Sequence, residues 1–258
     1  MTRMYRFFAG DLKEPDFDSG DVVLSSHFES AVFEQLAKVL RVKPGDEIVL
    51  MTGKNKAPFW EFHFDVVIAN KREVRLVFKS KKKNLNELEF GLELVVCLPN
   101  KPDKLSMILQ KAVELGVSRV VLVKGEFSQM KHDLRPARLE KIMQEAAEQS
   151  ERALVPALEI RGALCDFIEE IAGDSAAGDV TGLLVAMERE DAGFLPDVLK
   201  ETFGDIRILV GPEGGFSAGE KDSLHVEGIR CFSLGKRILR METAVILSLG
   251  LAAMRHTQ

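Results

Sequence analysis

Two glycine-containing loops near the C-terminal end carry the residues whose types and spacing could do chemistry. One loop reads GPEGGF at 211–216, the other reads GKRILR at 235–240, and each follows a short hydrophobic run. Glycine lets a ligand approach the main chain closely. We therefore expect one ligand site built largely from backbone atoms, with Glu213, Arg237 and Arg240 beside it. For either loop alone, an ordinary turn between a strand and a helix is an equal interpretation.

These loops do not match the sequence motifs of phosphate-binding sites. GPEGGF departs from the dinucleotide motif GxGxxG, and Pro212 lacks an amide that a phosphate would need. The chain also lacks the motif GxxxxGK[ST]. The loops therefore suit a ligand that bears adenine or ribose and is held by backbone amides and carbonyls.

The elements that position these loops alternate between strand and helix. Apolar runs typical of buried strands lie at 92–98, 119–123, 183–186, 206–211 and 229–234. Helical patterns lie between and after them, at 103–115, 134–151, 164–171, 195–203, 217–225 and 242–255. This alternation predicts an α/β domain with a mainly parallel sheet, whose ligands bind at the carboxyl ends of the strands. Ser217, with Glu220 three residues later, predicts a capping box directly after the first loop.

The first third of the chain predicts a separate β-rich domain. Strand-like runs lie at 5–8, 21–24, 47–51, 59–68 and 74–78, and one helical pattern lies at 27–40. The polar stretch KSKKKNLNE at 79–87 has no apolar periodicity and predicts a linker.

The composition is that of an ordinary globular protein. Of the 258 residues, 46% are hydrophobic and 29% are charged. We expect no membrane segment and no signal peptide, hence a cytoplasmic protein. Cys97, Cys165 and Cys231 are far apart, so we expect each in a strand or helix, with no disulfide framework and no Cys-rich zinc site. The five histidines show no metal-ligand spacing, so we expect no metal site. The net charge of −5 is not that of a general nucleic-acid binder, but a local basic surface can still bind RNA.

The two C-terminal loops together resemble the signatures of the RsmE family. These are GPEGGFSAGE at 211–220 and LGKRILRMETA at 234–244, with supporting similarity at 103–117, 145–152, 6–8 and 39–46. The family consists of SPOUT-class methyltransferases that act on N3 of a uridine in 16S ribosomal RNA of the small subunit. The resemblance spans nearly the whole chain.

This resemblance implies a fold and a cofactor. It implies a small PUA-like, RNA-binding β-barrel domain at 1–80 and a trefoil-knotted α/β domain with a mainly parallel sheet at 88–258. It also implies a homodimer that packs through the last helix, and S-adenosylmethionine bound in the knot, without metal. The implied cofactor contacts are Ala186, Met187, Leu209, Val210, Gly211, Pro212, Glu213, Gly214, Gly215, Leu234, Gly235, Ile238, Leu239, Arg240, Thr243 and Ala244.

Three charged residues are candidates for catalysis. Arg240 could stabilise the negative charge that develops on uracil carbonyl oxygens as N3 loses its proton; the alternative is an ion pair with Glu242 or Glu213. Glu213 could accept the proton, or could hold the loop in shape. Arg237 is a second catalytic candidate, with RNA phosphate contact as its other role. Glu242 lies in the first turn of the last predicted helix, where a carboxylate is favoured by the helix dipole, so we expect it to cap that helix.

Candidate RNA contacts lie mainly in the first domain. They are Arg3, Arg6 and Arg41, together with Arg237 in the second loop. Phe7 and Phe8 beside these arginines suit base stacking, unless they face the core. In the other domain, the family often carries a Thr-Glu-Arg-Ser-like segment, and Phe127 stands here where that arginine would be expected. Another basic residue must replace that arginine, or the substrate preference differs.

Two other functions stay open at this point. One is a different SPOUT methylation of RNA, such as ribose 2′-O-methylation. The other is a non-catalytic RNA-binding assembly factor that retains the fold. The residues leave open whether the substrate is free 16S RNA or the assembled small ribosomal subunit.

Overall fold

The chain divides into two compact units. The computed structural model describes residues 3–9, 20–25, 30–51, 59–129, 134–173, 182–188, 192–225 and 229–256. Unit 1 contains Met1–Glu87 and Ala147–Val155, and unit 2 contains Leu88–Ala146 and Pro156–Gln258.

Unit 1 is built on a five-stranded mixed sheet in the order β1-β3-β4-β5-β2. The strands are β1 Met4–Phe8, β2 Asp21–Ser25, β3 Glu47–Met51, β4 Trp60–Ala69 and β5 Glu73–Lys83. β1 runs parallel to β3, and the other pairings are antiparallel. One helix, α1 Ser30–Glu34, continues as a π-helical segment at Gln35–Leu40. The predicted start of this helix at 27–29 lies outside the described residues.

The alternation of side chains along β4 explains where the core of unit 1 lies. Phe62, Phe64 and Val66 point to one face and are fully buried with residues of α1. His63, on the other face, is also buried, and its Nδ1 lies 2.7 Å from Glu47 Oε1. Buried polar groups need such partners. Phe7 and Phe8 of β1 are both buried as well.

The lysine-rich stretch that the sequence predicts as a linker is largely a strand. Residues 79–83 belong to β5 and pair with the start of β4, where Trp60 opposes Lys83 and Phe62 opposes Lys81. The Lys81 ammonium lies 4.8 Å from the Trp60 ring centre and 5.0 Å from that of Phe62. The linker prediction is wrong for these residues because their backbone pairs with β4 and the Lys81 side chain lies against two aromatic rings of that strand.

Unit 2 is an α/β unit with a seven-stranded parallel sheet, which confirms the predicted class. The strand order is β10-β12-β9-β11-β6-β7-β8. The strands are β6 Leu92–Cys97, β7 Arg119–Lys124, β8 Ala157–Ala163, β9 Leu183–Ala186, β10 Gly193–Phe194, β11 Ile206–Val210 and β12 Arg230–Ser233. The helices are α2 Pro102–Glu114, α3 Pro136–Gln149, α4 Leu164–Gly173, α5 Leu195–Lys200, α6 Ala218–Leu224 and α7 Met241–Ala253. Helix α3 begins in unit 2 and ends in unit 1, because the division between the two units falls after Ala146.

The sequence missed two strands of this sheet, both at its edges. β8 is mostly exposed and β10 has only two residues, so neither presents a buried apolar run. The central strands do present one: Leu94, Val95 and Val96 of β6 are fully buried, as expected of a strand covered on both faces. The cysteines lie as predicted, Cys97 in β6, Cys165 in α4 and Cys231 in β12.

The path of the chain after β12 reverses across the sheet. β12 lies beside β9, on the side away from β11, yet α7 packs on β11, β6 and α2. The connection at 234–240 therefore passes the end of β9 before α7 begins. No helix within the described ranges is long and apolar enough to cross a membrane.

Candidate active site

Four parallel strands bring the predicted loops to one edge of the sheet. Val210 at the end of β11 is in register with Ala186 of β9 and with Val96 of β6, and Ala186 is in register with Phe232 of β12. Since the strands are parallel, the segments that follow them all begin at the carboxyl edge. The two glycine-containing loops and the residues after β9 thus meet where an open α/β sheet binds its ligands.

The first loop is a tight turn anchored by a helix cap. The Gly215 amide donates to the Pro212 carbonyl at 2.9 Å, and Gly215 has a φ of 77°, which favours glycine. Ser217 and Glu220 form the predicted capping box at the start of α6, with reciprocal hydrogen bonds of 3.2 and 2.8 Å. The sequence prediction of a helix start at this point is confirmed.

The second loop is more open. Gly235 has a φ of 106°, and apart from its two chain neighbours no described residue has an atom within 4 Å of the position where a Cβ would lie. Its amide donates to Ser233 Oγ at 3.2 Å. Ile238 is 54% exposed, a large fraction for an apolar side chain beside a buried sheet. This loop presents backbone and an apolar side chain outward, as a ligand of mixed polarity would need.

The predicted cofactor residues differ in what they can present. Met187, Leu209, Val210 and Pro212 are buried. Ala186, Gly211, Gly215, Leu234, Leu239 and Ala244 are half-buried. Glu213, Gly214, Gly235, Ile238, Arg240 and Thr243 are exposed. The three segments lie at one edge, in keeping with a site made mainly of backbone.

Glu213 is held by an ion pair that the sequence did not reveal. Its Oε1 accepts from Lys104 Nζ at 2.8 Å and from the Asn100 amide at 3.3 Å. Burial raises the pKa of Glu213, but the Lys104 ammonium and the Asn100 amide outweigh it and hold the pKa below its ordinary value. A carboxylate with a lowered pKa is a weak proton acceptor.

The two arginines of the second loop are exposed and carry no ion pair within the described ranges. The alternatives considered for Arg240, pairs with Glu242 or Glu213, are therefore not formed. The Arg240 carbonyl accepts from the Ala244 amide at 2.9 Å and starts α7, so the position of its backbone is fixed by the helix. Arg240 and Arg237 are free to meet an anionic ligand.

Two buried oxygens beside these loops lack a hydrogen-bond donor. Asn100 Oδ1, after the end of β6, and Glu242 Oε2, in the first turn of α7, have no partner among the described residues. An unpaired buried acceptor costs about 1–3 kcal/mol, so it marks a place where a ligand donor would bind favourably. Sequence reasoning gave no site role to Asn100 or Lys104; a signal for both was their position just past the carboxyl end of a buried strand.

The candidate RNA-binding arginines of unit 1 differ in exposure and in ion pairing. Arg6 donates to Glu151 Oε1 at 2.8 Å and lies 3.6 Å from Glu61, with its side chain only 16% exposed. Arg3 and Arg41 are exposed. The stacking prediction for Phe7 and Phe8 is wrong, because both sides of β1 are covered.

A second arginine of unit 1 is also used structurally. Arg152 donates from Nη2 to Glu87 Oε2 at 2.6 Å, and both side chains are buried. Glu87 Oε1 also accepts from the amides of Ala153 and Leu154, at 3.0 and 3.1 Å.

Comparison with known proteins finds similarity to RNA methyltransferases. The family model described as "RNA methyltransferase domain" matches residues 86–253. The chain is 30% identical to ribosomal RNA small subunit methyltransferase E of Rickettsia conorii over 82% of each chain. It is 28% identical to the protein of that name from Mesomycoplasma hyopneumoniae, over 95% of this chain and 97% of the relative.

Solved structures show the same relationship in three dimensions. Ribosomal RNA small subunit methyltransferase E from Neisseria gonorrhoeae, bound to S-adenosyl methionine, superposes with a TM-score of 0.80 at 28% identity and covers 99% of this chain and 98% of its own. A Legionella pneumophila protein with bound cofactor SAM superposes with a TM-score of 0.78 at 26% identity and covers 97% of each chain.

The fold, the site and these comparisons thus place the chain in the class of RNA methyltransferases. Within this class, the chain belongs to the family of ribosomal RNA small subunit methyltransferase E, the RsmE family that its two loop motifs resemble.

Proposed function

We propose that this protein uses S-adenosylmethionine to methylate N3 of a uridine in 16S ribosomal RNA of the small subunit. The observation that carries the proposal is the pair of glycine-containing loops at one carboxyl edge of a parallel sheet, in a chain of the methyltransferase E family. Two relatives of this fold were solved with that cofactor bound. The proposed substrate would place the protein in the cytoplasm.

The residues at this edge fit S-adenosylmethionine. The open main chain at Gly215 and Gly235 suits adenine and ribose, which need backbone donors and acceptors at close range. The unpaired acceptors Asn100 Oδ1 and Glu242 Oε2 suit the amino groups of such a ligand. When bound, S-adenosylmethionine supplies an electrophilic methyl group. We propose the predicted contacts at 186–187, 209–215 and 234–244 as its binding site.

Arg240 is the residue that we assign to catalysis. Uracil N3 is a poor nucleophile until it loses its proton, and the charge then spreads onto the neighbouring carbonyl oxygens. An arginine remains charged throughout the accessible pH range, so its guanidinium stabilises that charge and eases loss of the proton. Arg240 is exposed, has no ion-pair partner among the described residues, and its backbone is fixed at the start of α7. Arg237, equally exposed, suits contact with a phosphate of the RNA.

Glu213 is better suited to positioning than to accepting the proton. Its lowered pKa and its ion pair with Lys104 both keep it charged and engaged. We propose that this pair ties the first loop to the start of α2 and so sets the shape of the cofactor site. The N3 proton then leaves to water, helped by Arg240.

The fold around the site is proposed to be a trefoil knot. The support is the reversal of the chain at 234–240, which passes the end of β9 before α7 packs on β11 and β6. We propose unit 1 as the PUA-like RNA-binding domain. The prediction for this domain is 1–80; the compact unit 1 contains Met1–Glu87 and Ala147–Val155. Arg3 and Arg41, which are exposed, suit RNA contact better than the ion-paired Arg6.

A homodimer through α7 is the proposed assembly. The sequence METAVILSLGLAA is apolar on all sides, and a helix of this kind is normally covered all round. Leu247 on α7 is 40% exposed, and Met107 on the neighbouring α2 is 41% exposed. A second copy that covers this face would bury them. Light scattering should give twice the chain mass, and Leu247→Glu should shift it to the monomer mass.

One experiment tests the proposed function. The purified protein is incubated with S-adenosylmethionine and small subunits from a strain that lacks the gene, and the RNA is digested to nucleosides for mass spectrometry. We expect 3-methyluridine in the 16S RNA, and none with Arg240→Ala. A 2′-O-methylated nucleoside instead would mean a different RNA methylation. No methylated nucleoside would favour an assembly factor. Free 16S RNA in parallel shows which substrate is used.

A further inference from the structure

The turn that follows β7 is locked against the first loop. The Gly125 amide donates to Ser128 Oγ at 3.1 Å, and the Ser128 amide donates to the Gly125 carbonyl at 3.0 Å. The Glu126 amide donates to Glu220 Oε1 at 2.8 Å, and Glu220 is itself buried. A Cβ on Gly125 would lie 3.0 Å from the Pro212 ring. The turn therefore has little freedom to move relative to that loop.

This locked turn holds Phe127 at the carboxyl edge. A Cβ on Gly214 would lie 2.8 Å from Phe127 Cβ, so the base of the phenylalanine side chain packs on the glycine of the first loop. Yet the Phe127 residue is 44% exposed. One exposed aromatic residue on a surface is unremarkable. Phe127 differs because its backbone is fixed and because it borders the loop that carries Glu213.

From this placement we propose that Phe127 is a stacking surface for an unpaired nucleobase of the RNA substrate. The proposal rests on the proposed function, and it assigns an RNA-binding role to a residue outside the cofactor site. An aromatic side chain on a fixed backbone loses little entropy when it stacks on a base, and any base offers a planar face. The exposed arginines at 237 and 240 supply the charge for the phosphates and the reacting base, and Phe127 supplies the apolar platform.

The test compares Phe127→Ala with Phe127→Trp and with Phe203→Ala. Phe203 is a matched control because it belongs to the same unit, is 86% exposed and lies between α5 and β11, at the opposite edge of the sheet. The affinity of each purified variant for 16S RNA transcript is measured by fluorescence anisotropy. Its affinity for S-adenosylmethionine is measured by calorimetry, and its KM and kcat are measured on small subunits.

Stacking on one base is worth about 1–3 kcal/mol, so Phe127→Ala should weaken RNA affinity and raise the KM for the subunit by about 5- to 150-fold. Cofactor affinity and melting temperature should stay at the wild-type values. Phe127→Trp should retain RNA affinity, and Phe203→Ala should match the wild type throughout.

Two results would overturn the proposal. One is RNA affinity for Phe127→Ala within twofold of wild type. The other is a loss of cofactor affinity as large as the loss of RNA affinity, since Phe127 would then only support Gly214. If the wild-type protein transfers no methyl group but Phe127→Ala still loses RNA affinity, the stacking role stands and the proposed function fails.

Discussion

The ion pair between Lys104 and Glu213 offers the sharpest prediction about the site. Lys104→Met keeps most of the apolar stem and removes the charge. The carboxylate of Glu213 then retains the Asn100 amide at 3.3 Å but loses the ammonium at 2.8 Å. The first loop should become less well fixed, while the chemistry at Arg240 remains in place.

The magnitude follows from the burial of the pair. The side chains of Lys104 and Glu213 are 26% and 24% exposed, so the pair is intermediate between a surface pair and a buried pair. A surface pair contributes about 0.2–1 kcal/mol, and breaking a buried pair costs about 3–5 kcal/mol. We therefore expect Lys104→Met to lower the binding free energy of S-adenosylmethionine by about 1–2 kcal/mol, which weakens its affinity by about 5- to 30-fold. The turnover number at saturating cofactor should change little.

A double-mutant cycle makes the test quantitative. Cofactor affinity is measured by calorimetry for Lys104→Met, Glu213→Gln and the double variant, and the two losses should be less than additive because they break one interaction. Lys111→Met is the control, because Lys111 forms an ion pair with Glu114 on the exposed side of the same helix.

A catalytic role of Glu213 would give a different set of kinetic results and would refute this reasoning. If Glu213 accepts the proton, Glu213→Gln should reduce turnover by about 10²- to 10⁴-fold at unchanged cofactor affinity, whatever stands at position 104.

Three further predictions concern other parts of the chain. Arg152→Met leaves the buried carboxylate of Glu87 without its ion-pair partner, so thermal or urea unfolding should show a loss of about 3–5 kcal/mol; a loss below 1 kcal/mol would contradict it. Gly235→Ala and Gly204→Ala each place a side chain at positive φ in open space, so both should destabilise by about 1–2 kcal/mol, but calorimetry should show weaker cofactor binding only for Gly235→Ala. Because the pKa of Glu213 is lowered in the folded protein, its contribution to stability is complete above the unfolded value near 4.5 and is lost as the pH falls through the lower folded value. Melting temperatures from pH 7 to pH 3 should therefore converge for wild type and Glu213→Gln at the acid end; a constant difference would argue against the ion pair.

Much of unit 2 could be predicted from the sequence because its central strands are covered on both faces. The runs at 92–98 and 206–210 are almost wholly apolar, and only a buried strand or a buried helix has that pattern. The edge strand β8 has no such run, so this strand could not be predicted from hydrophobic periodicity alone. The order of strands depends on contacts between distant residues, which no local pattern records.

The positions of the loops of the candidate site could be predicted from the sequence, but the partners of their side chains could not. Glycines and the Ser217–Glu220 cap mark where the first loop begins and ends. The partner of Glu213 could not be found in this way, since Lys104 is 109 residues away in the sequence. For the same reason the ion pairs of Arg6 were invisible, and an arginine beside aromatics in β1 suggested RNA contact instead.

The central claim is that the two glycine-containing loops form the walls of one cofactor site, with Arg240 at its open side. A crystal structure of the protein with S-adenosylmethionine tests this claim most directly. The account predicts cofactor contacts with main-chain atoms at 211–215 and 234–239, with the Arg240 guanidinium on the side of the methyl group. Cofactor bound elsewhere, or bound here with Arg240 turned away from the methyl group, would contradict it.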